Sequence, residues 1–129
     1  KIKNQILFLN HISTNDLIKL YKNSFALVMP TYFGPSNYPP LEAFSFGCPV
    51  IYNLFGSEDK TYKKIIWEID ISNPLSLAKI IIKMKKNKKN VNLKINRGLK
   101  YFATIDEIKV KKNYDSIFKK FQIIRNRWK

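Results

Sequence analysis

The chain has 129 residues, of which 24 are Lys or Arg and 9 are Asp or Glu, giving a formal net charge of +15. A hydrophobic content of 45% and an aromatic content of 14% exclude an intrinsically disordered tail, and the length fits one core, in a single domain or a piece of one. One cysteine, Cys48, and one histidine, His11, exclude an internal disulfide and a Cys/His zinc module, and suit a reducing compartment.

Short apolar runs and helical periods alternate along the chain. Ile6 to Leu9, Ala26 to Met29, Val50 to Tyr52 and Ile65 to Ile69, the last interrupted by Glu68, predict four strands buried on both faces of a parallel sheet. Between the first two, Ser13 caps a helix running through Tyr21, Asp16 favours its positive end, and Leu17, Leu20 and Tyr21 share one face. Pro39 to Gly47 reads as a second helix, with prolines tolerated at its start and Gly47 closing it before Pro49 leads into the next strand. A short helix begins near Glu58. Ser72-Asn73-Pro74-Leu75 opens another, with Leu75, Ala78 and Ile81 or Ile82 at its apolar spacing, ending in the run Lys85 to Lys89. Residues 92–103 and 106–129 read as two further helices. The last is capped by Thr104 or Asp106 and carries Tyr114, Ile117, Phe118 and Phe121 on one stripe.

The expected fold class is therefore α/β, a Rossmann-like parallel sheet of about four strands with flanking helices and a helical C-terminal end. No repeat or linker divides it, so residues 1–129 read as one unit. A complete dinucleotide-type fold opens with a strand, a glycine-rich turn and a helix, whereas this chain has four glycines and no G-x-G-x-x-G. Either it binds no nucleotide or the first half of the fold lies upstream. The start at Lys1 without Met favours the second alternative, a segment of a longer protein. No apolar run approaches the roughly 20 residues that span a bilayer, and no leader pattern opens the sequence.

The stretch from Met29 to Ile51 carries the chemistry. It reads as a strand, a long loop bending at Gly34 and Pro35, and a helix whose first turn faces back to that loop. Unpaired N–H groups and partial positive charge at a helix start suit a phosphate or the hydroxyl-rich end of a sugar nucleotide. Glu42 can accept two hydrogen bonds from adjacent hydroxyls, as a ribose presents, and ligands of open α/β sheets sit outside the carboxyl ends of the strands, where this loop lies.

Strand, Pro30, loop, then Pro39-Pro40-Leu41-Glu42-Ala43 and Gly47-Cys48-Pro49-Val50-Ile51 resembles the donor-binding half of a GT-B glycosyltransferase of the family 4 type, the glycosyl transferases of group 1. His11-Ile12-Ser13 with the following helix, Gly56-Ser57-Glu58, and Ile69-Asp70 through Ala78 resemble the flanking segments of that family. The resemblance implies half of a GT-B fold and retaining transfer of a sugar, of hexosyl type, from a nucleoside diphosphate, in polysaccharide or glycoconjugate assembly, without a cofactor or an obligatory metal. In the family's Glu-x7-Glu pair the second acid binds the ribose, which Glu42 matches. The first is Gly34 here, so no catalytic residue is assigned. The implied donor-binding residues are Glu42, the loop Gly34, Pro35, Ser36 and Asn37 at the diphosphate and sugar, Tyr38, Pro39 and Leu41 at the helix start, and His11 and Ile12 beside the base. The resemblance further implies an acceptor-binding domain upstream of Lys1 as a partner within the same chain, and an isolated fragment without transferase activity.

Plainer roles compete with these. Glu42 alone reads as an exposed acid favouring a helix dipole, His11 as a polar cap, and Cys48 as a small buried hydrophobe. Glu58 is a ligand contact or a helix cap. Tyr32 and Tyr38 stack on a ligand or pack, while Phe33, Trp67 and Trp128 read as packing.

Charge is unevenly shared: residues 1–70 hold 7 basic and 6 acidic side chains, residues 71–129 hold 17 and 3. A solvated helix face is the default explanation. Attraction to an anionic membrane surface is the second, placing a cytoplasmic enzyme at the inner membrane face. Nucleic acid is the least favoured partner, because no helix-turn-helix, zinc or RNA-recognition signature accompanies the charge. The competing function is a non-catalytic basic α/β module that binds nucleic acid or another anionic partner.

Overall fold

The computed structural model describes residues 5–31, 38–54, 60–105 and 107–127. Helix α1, Thr14–Asn23, starts where Ser13 Oγ accepts from the Asp16 N–H at 3.2 Å and donates to Asp16 Oδ2 at 2.7 Å, a side-chain cap of the kind the sequence predicts. Strand β1, Leu27–Met29, leads to α2, Tyr38–Ser45. Helix α2 ends in a Schellman motif: Gly47 adopts φ 69°, its N–H donates to Phe44 O at 3.2 Å, and the Cys48 N–H donates to Ala43 O at 2.8 Å. Then follow β2 (Val50–Tyr52), α3 (Lys60–Ile65), β3 (Trp67–Glu68), α4 (Pro74–Lys86), α5 (Lys88–Thr104) and α6 (Glu107–Asn126).

The three strands pair in parallel in the order β1-β2-β3, with Val28 opposite Ile51 and Ile51 opposite Trp67. Alternation along β2 explains its uninterrupted apolar sequence. Val50 and Tyr52 join Tyr21 of α1, Ala43 and Phe44 of α2 and Ile65 of α3 on one side, while Ile51 joins Trp67, Ile69 and Met84 of α4 on the other. Helix α5 packs on α2, α3 and α4. Its Lys94 reaches the end of α3, where Nζ donates to Lys63 O at 3.2 Å and Ile66 O at 2.6 Å and lies 5.3 Å from the centre of the Trp67 ring. A cation at a helix C-terminus satisfies carbonyls that have no partner within the helix.

Several expectations are corrected. Among the described residues the sheet has three strands, not four: Ile6 to Leu9 forms no ladder and is exposed, Phe8 at 85%. Apolar content yields a strand only where a partner edge is present, and among the described residues β1 has β2 alone beside it. The fourth predicted strand shortens to Trp67–Glu68, because α3 takes Ile65. In α4 the buried face is Leu77, Ile80, Ile81 and Met84, whereas Leu75, Ala78 and Ile82 are exposed. Helix α5 begins four residues early, at Lys88, since Asn87 closes α4 and caps α5 by accepting from the Asn90 N–H at 2.9 Å. The Thr104 hydroxyl donates to Tyr101 O within α5, and Asp106, the other cap expected for α6, lies outside the described residues. The predicted α6 stripe of Tyr114, Ile117, Phe118 and Phe121 is exposed.

Candidate functional site

Parallel strands bring their carboxyl ends to one edge of the sheet, so Pro30, Asn53 and Ile69, the first residues after β1, β2 and β3, leave from the same side. In a doubly wound sheet that side receives ligands. Beside it stands the start of α2. Tyr38, exposed, is its first residue; Pro39 is half-buried and Pro40 fully buried, so this turn is fixed by packing as well as by the proline rings. The prolines also lack N–H groups, leaving the helix start without two of the four donors it would otherwise offer an anion. The start of α2 is therefore poorer in phosphate donors than the expectation of an open helix N-terminus required.

Glu42 lies in the second turn, not the first. Leu41 before it packs on the core, and Ala43 and Phe44 after it are buried, so the helix is anchored on both sides of an exposed carboxylate. Across from it, the hydroxyl of Tyr21 in α1 donates to Glu42 Oε2 at 3.0 Å. Tyr21 is 8% exposed and stacks on Phe46, ring centres 5.9 Å apart at 16°. Burial pushes the Tyr21 phenol up to about 12, and the bond to Glu42, the charge of that carboxylate and that of Cys48 add to the effect. The phenol therefore remains a donor at neutral pH.

Cys48 is buried, its Sγ lies 3.6 Å from Pro49 O, and burial raises its thiol pKa against a backbone bond from Leu27. A buried protonated thiol is a packing group, as expected, and no nucleophile. Trp67, also buried, packs as expected. Asp70, at the carboxyl end of β3, accepts from the Ser72 N–H at 3.0 Å and the Ser72 hydroxyl at 2.6 Å, which hold its carboxyl below the usual carboxylate range and close the turn into α4.

His11 is exposed and Ile12 half-buried in the segment before α1. An open groove of about 520 Å³ takes in Ile12 with Leu7, Leu9 and Leu20, and includes neither His11 nor Glu42. The structure thus unites Tyr38, Pro39, Leu41 and Glu42 on one helix and joins Tyr21 to them, but does not gather the His11 segment with Glu42 in that groove. Tyr32, Phe33, Gly34, Pro35, Ser36, Asn37, Gly56, Ser57, Glu58 and Trp128 lie outside the described residues.

A family model described as Glycosyl transferases group 1 matches residues 1–97, about three quarters of the chain. The chain belongs to this family. Searches of curated proteins and of solved structures return no match. Membership in the group 1 glycosyl transferases assigns the general activity, transfer of a glycosyl group between a donor and an acceptor, and covers the sheet, α1 to α4 and most of α5, but not α6. Among the described residues no helix is long and apolar enough to cross a membrane.

The contact that the sequence does not display is that of the Tyr21 hydroxyl with Glu42. Tyr21 was read only as one apolar position of α1, although a buried tyrosine hydroxyl ordinarily finds a partner and the nearby helix offered a carboxylate. Lys94 was likewise read only as part of a basic half, whereas its stem and head hold α3 and α5 together.

Proposed function

We propose that residues 1–129 are the donor-binding part of a longer GT-B glycosyltransferase of the family 4 type, one that transfers a hexosyl group with retention from a nucleoside diphosphate. The observation that carries this reading is Glu42. In a chain of this family, an exposed carboxylate stands in the second turn of the helix after β1, held from α1 by a buried phenol. In this reading Glu42 accepts from the ribose hydroxyls, Gly34 to Asn37 meet the diphosphate and sugar, and His11 and Ile12 flank the base. The acceptor side comes from another part of the same chain. The product belongs to polysaccharide or glycoconjugate assembly, and the exposed lysines of α4 to α6 draw the enzyme to the anionic cytoplasmic face of a membrane.

Titrating the full-length enzyme with UDP, GDP and ADP tests the reading. One of the three is expected to bind, and Glu42→Ala to weaken it about tenfold or more, the loss expected for a charged acceptor facing hydroxyls. Absence of binding by all three, or undiminished binding by Glu42→Ala, refutes the assignment.

A further inference from the structure

We propose that Tyr21 is a positioning residue of the donor site, its hydroxyl holding the Glu42 carboxylate in the orientation that receives the ribose diol. The proposal rests on the reading of Glu42 given above and extends it to a residue of a different helix.

A glutamate side chain on an exposed helix surface turns about three bonds, and a ligand that needs one orientation must meet the entropy of fixing it. Here the fixing is already done. The donor and acceptor are 21 residues apart and belong to α1 and α2, so the 3.0 Å bond is a tertiary contact and not a by-product of helix geometry. Tyr21 is itself immobilised: it turns about only two bonds, is buried, belongs to the main core cluster, and stacks on Phe46 at the end of α2. It engages Oε2 alone. An ionised carboxylate has about four acceptor positions, so one phenol leaves Oε1 and part of Oε2 for other donors. Oε1 has no hydrogen-bond partner among the described residues. A group that only satisfied a buried hydroxyl needs no such exposed partner, since a backbone carbonyl serves equally well.

The test uses calorimetric titration of the full-length enzyme with whichever of UDP, GDP and ADP binds best, alongside the 2′-deoxy form of that nucleotide. Tyr21→Phe keeps the ring and its stacking and removes only the donor. It is expected to weaken the ribonucleotide about tenfold, to leave the 2′-deoxy form nearly unchanged, and to cost nothing further in a Glu42→Ala background. Glu42→Asp, which withdraws the carboxylate from the phenol without touching α1, is expected to lose the same preference for ribose. The inference is overturned if Glu42→Ala weakens binding while Tyr21→Phe keeps the full ribose preference, or lowers both nucleotides equally in both backgrounds. Full ribose preference in Glu42→Asp overturns it independently of how Tyr21→Phe folds. Unchanged binding by Glu42→Ala instead removes the reading of Glu42 itself, a result distinct from the others.

Discussion

Gly98, in the middle of α5, is the point where the helix bearing Glu42 is pressed against its neighbour. A Cβ built there meets Phe44 Cδ1 at 2.9 Å and Cγ at 3.4 Å, against a normal carbon–carbon separation of about 3.5–4.0 Å, so Gly98→Ala must drive the ring back by about 0.6 Å or more. The ring has little room: Phe44 is 3% exposed and meets Tyr62 and Tyr101 edge-on at 6.1 and 6.2 Å. Overpacking of this kind costs about 1–3 kcal/mol, while replacing glycine by alanine inside a helix gains about 0.8–1 kcal/mol. The clash wins, and Gly98→Ala is expected to lower stability by about 1 kcal/mol. Urea unfolding followed by circular dichroism measures this as a lower midpoint at constant slope. In a Phe44→Leu background the ring is gone, and the same substitution should turn neutral or stabilising by up to about 1 kcal/mol. Gly98→Ala matching or exceeding the wild type in stability would refute the reasoning, because it would mean that α2 and α5 have slack between them.

Two further predictions concern the groups that hold the site's supports. Lys94→Met keeps the apolar stem but strips two carbonyls at the end of α3 of their donor, and should cost about 1–3 kcal/mol in the same unfolding assay; an unchanged midpoint would show that water replaces the ammonium freely. Tyr21, whose phenol is raised in the folded state from an ordinary value of 10.0 to about 12, favours the fold fully below pH 10 and loses that contribution as pH rises toward 12. Tyrosinate absorbance against pH should therefore show one late-titrating phenol that disappears in Tyr21→Phe, and no difference between the two titrations in the range from pH 10 to 12 would contradict the burial and the bond to Glu42.

How far the sequence could be read depended on whether a local pattern was enough. Val50–Tyr52 was legible to the residue, since a three-residue apolar run after Pro49 is buried on both faces whatever its neighbours. Ser13 and Gly47 were legible for the same reason: a cap acts on the few residues beside it. Ile6 to Leu9 was not, because a strand is a property of two segments and the second was assumed. Helix α4 carries apolar residues at 75, 77, 78, 80, 81, 82 and 84, enough for two overlapping stripes, and only the position of Trp67 and Ile69 selects the one ending at Met84. Asn87 was hidden among four lysines that all favour helix, so the boundary between α4 and α5 was read too late. Glu42 was singled out from its local pattern. The hydroxyl that holds it lies 21 residues earlier, and no periodicity links the two.

In the proposed reading, the start of α2 sets which part of a donor this side of the sheet is suited to grasp. Two prolines in its first turn withdraw N–H groups from the place where an anion would seek them, yet they also pack the turn and fix the direction in which the helix departs. One turn later the same helix exposes an acceptor, braced from α1, and ends in a glycine-dependent turn that returns the chain to β2. A short helix with a sealed beginning, a fixed end and one oriented carboxylate between them is better suited to hydroxyl groups than to phosphate. If the proposed donor site is right, recognition of a diphosphate falls to groups other than the α2 start, whereas a pair of neighbouring hydroxyls finds in Glu42 an acceptor held by Tyr21.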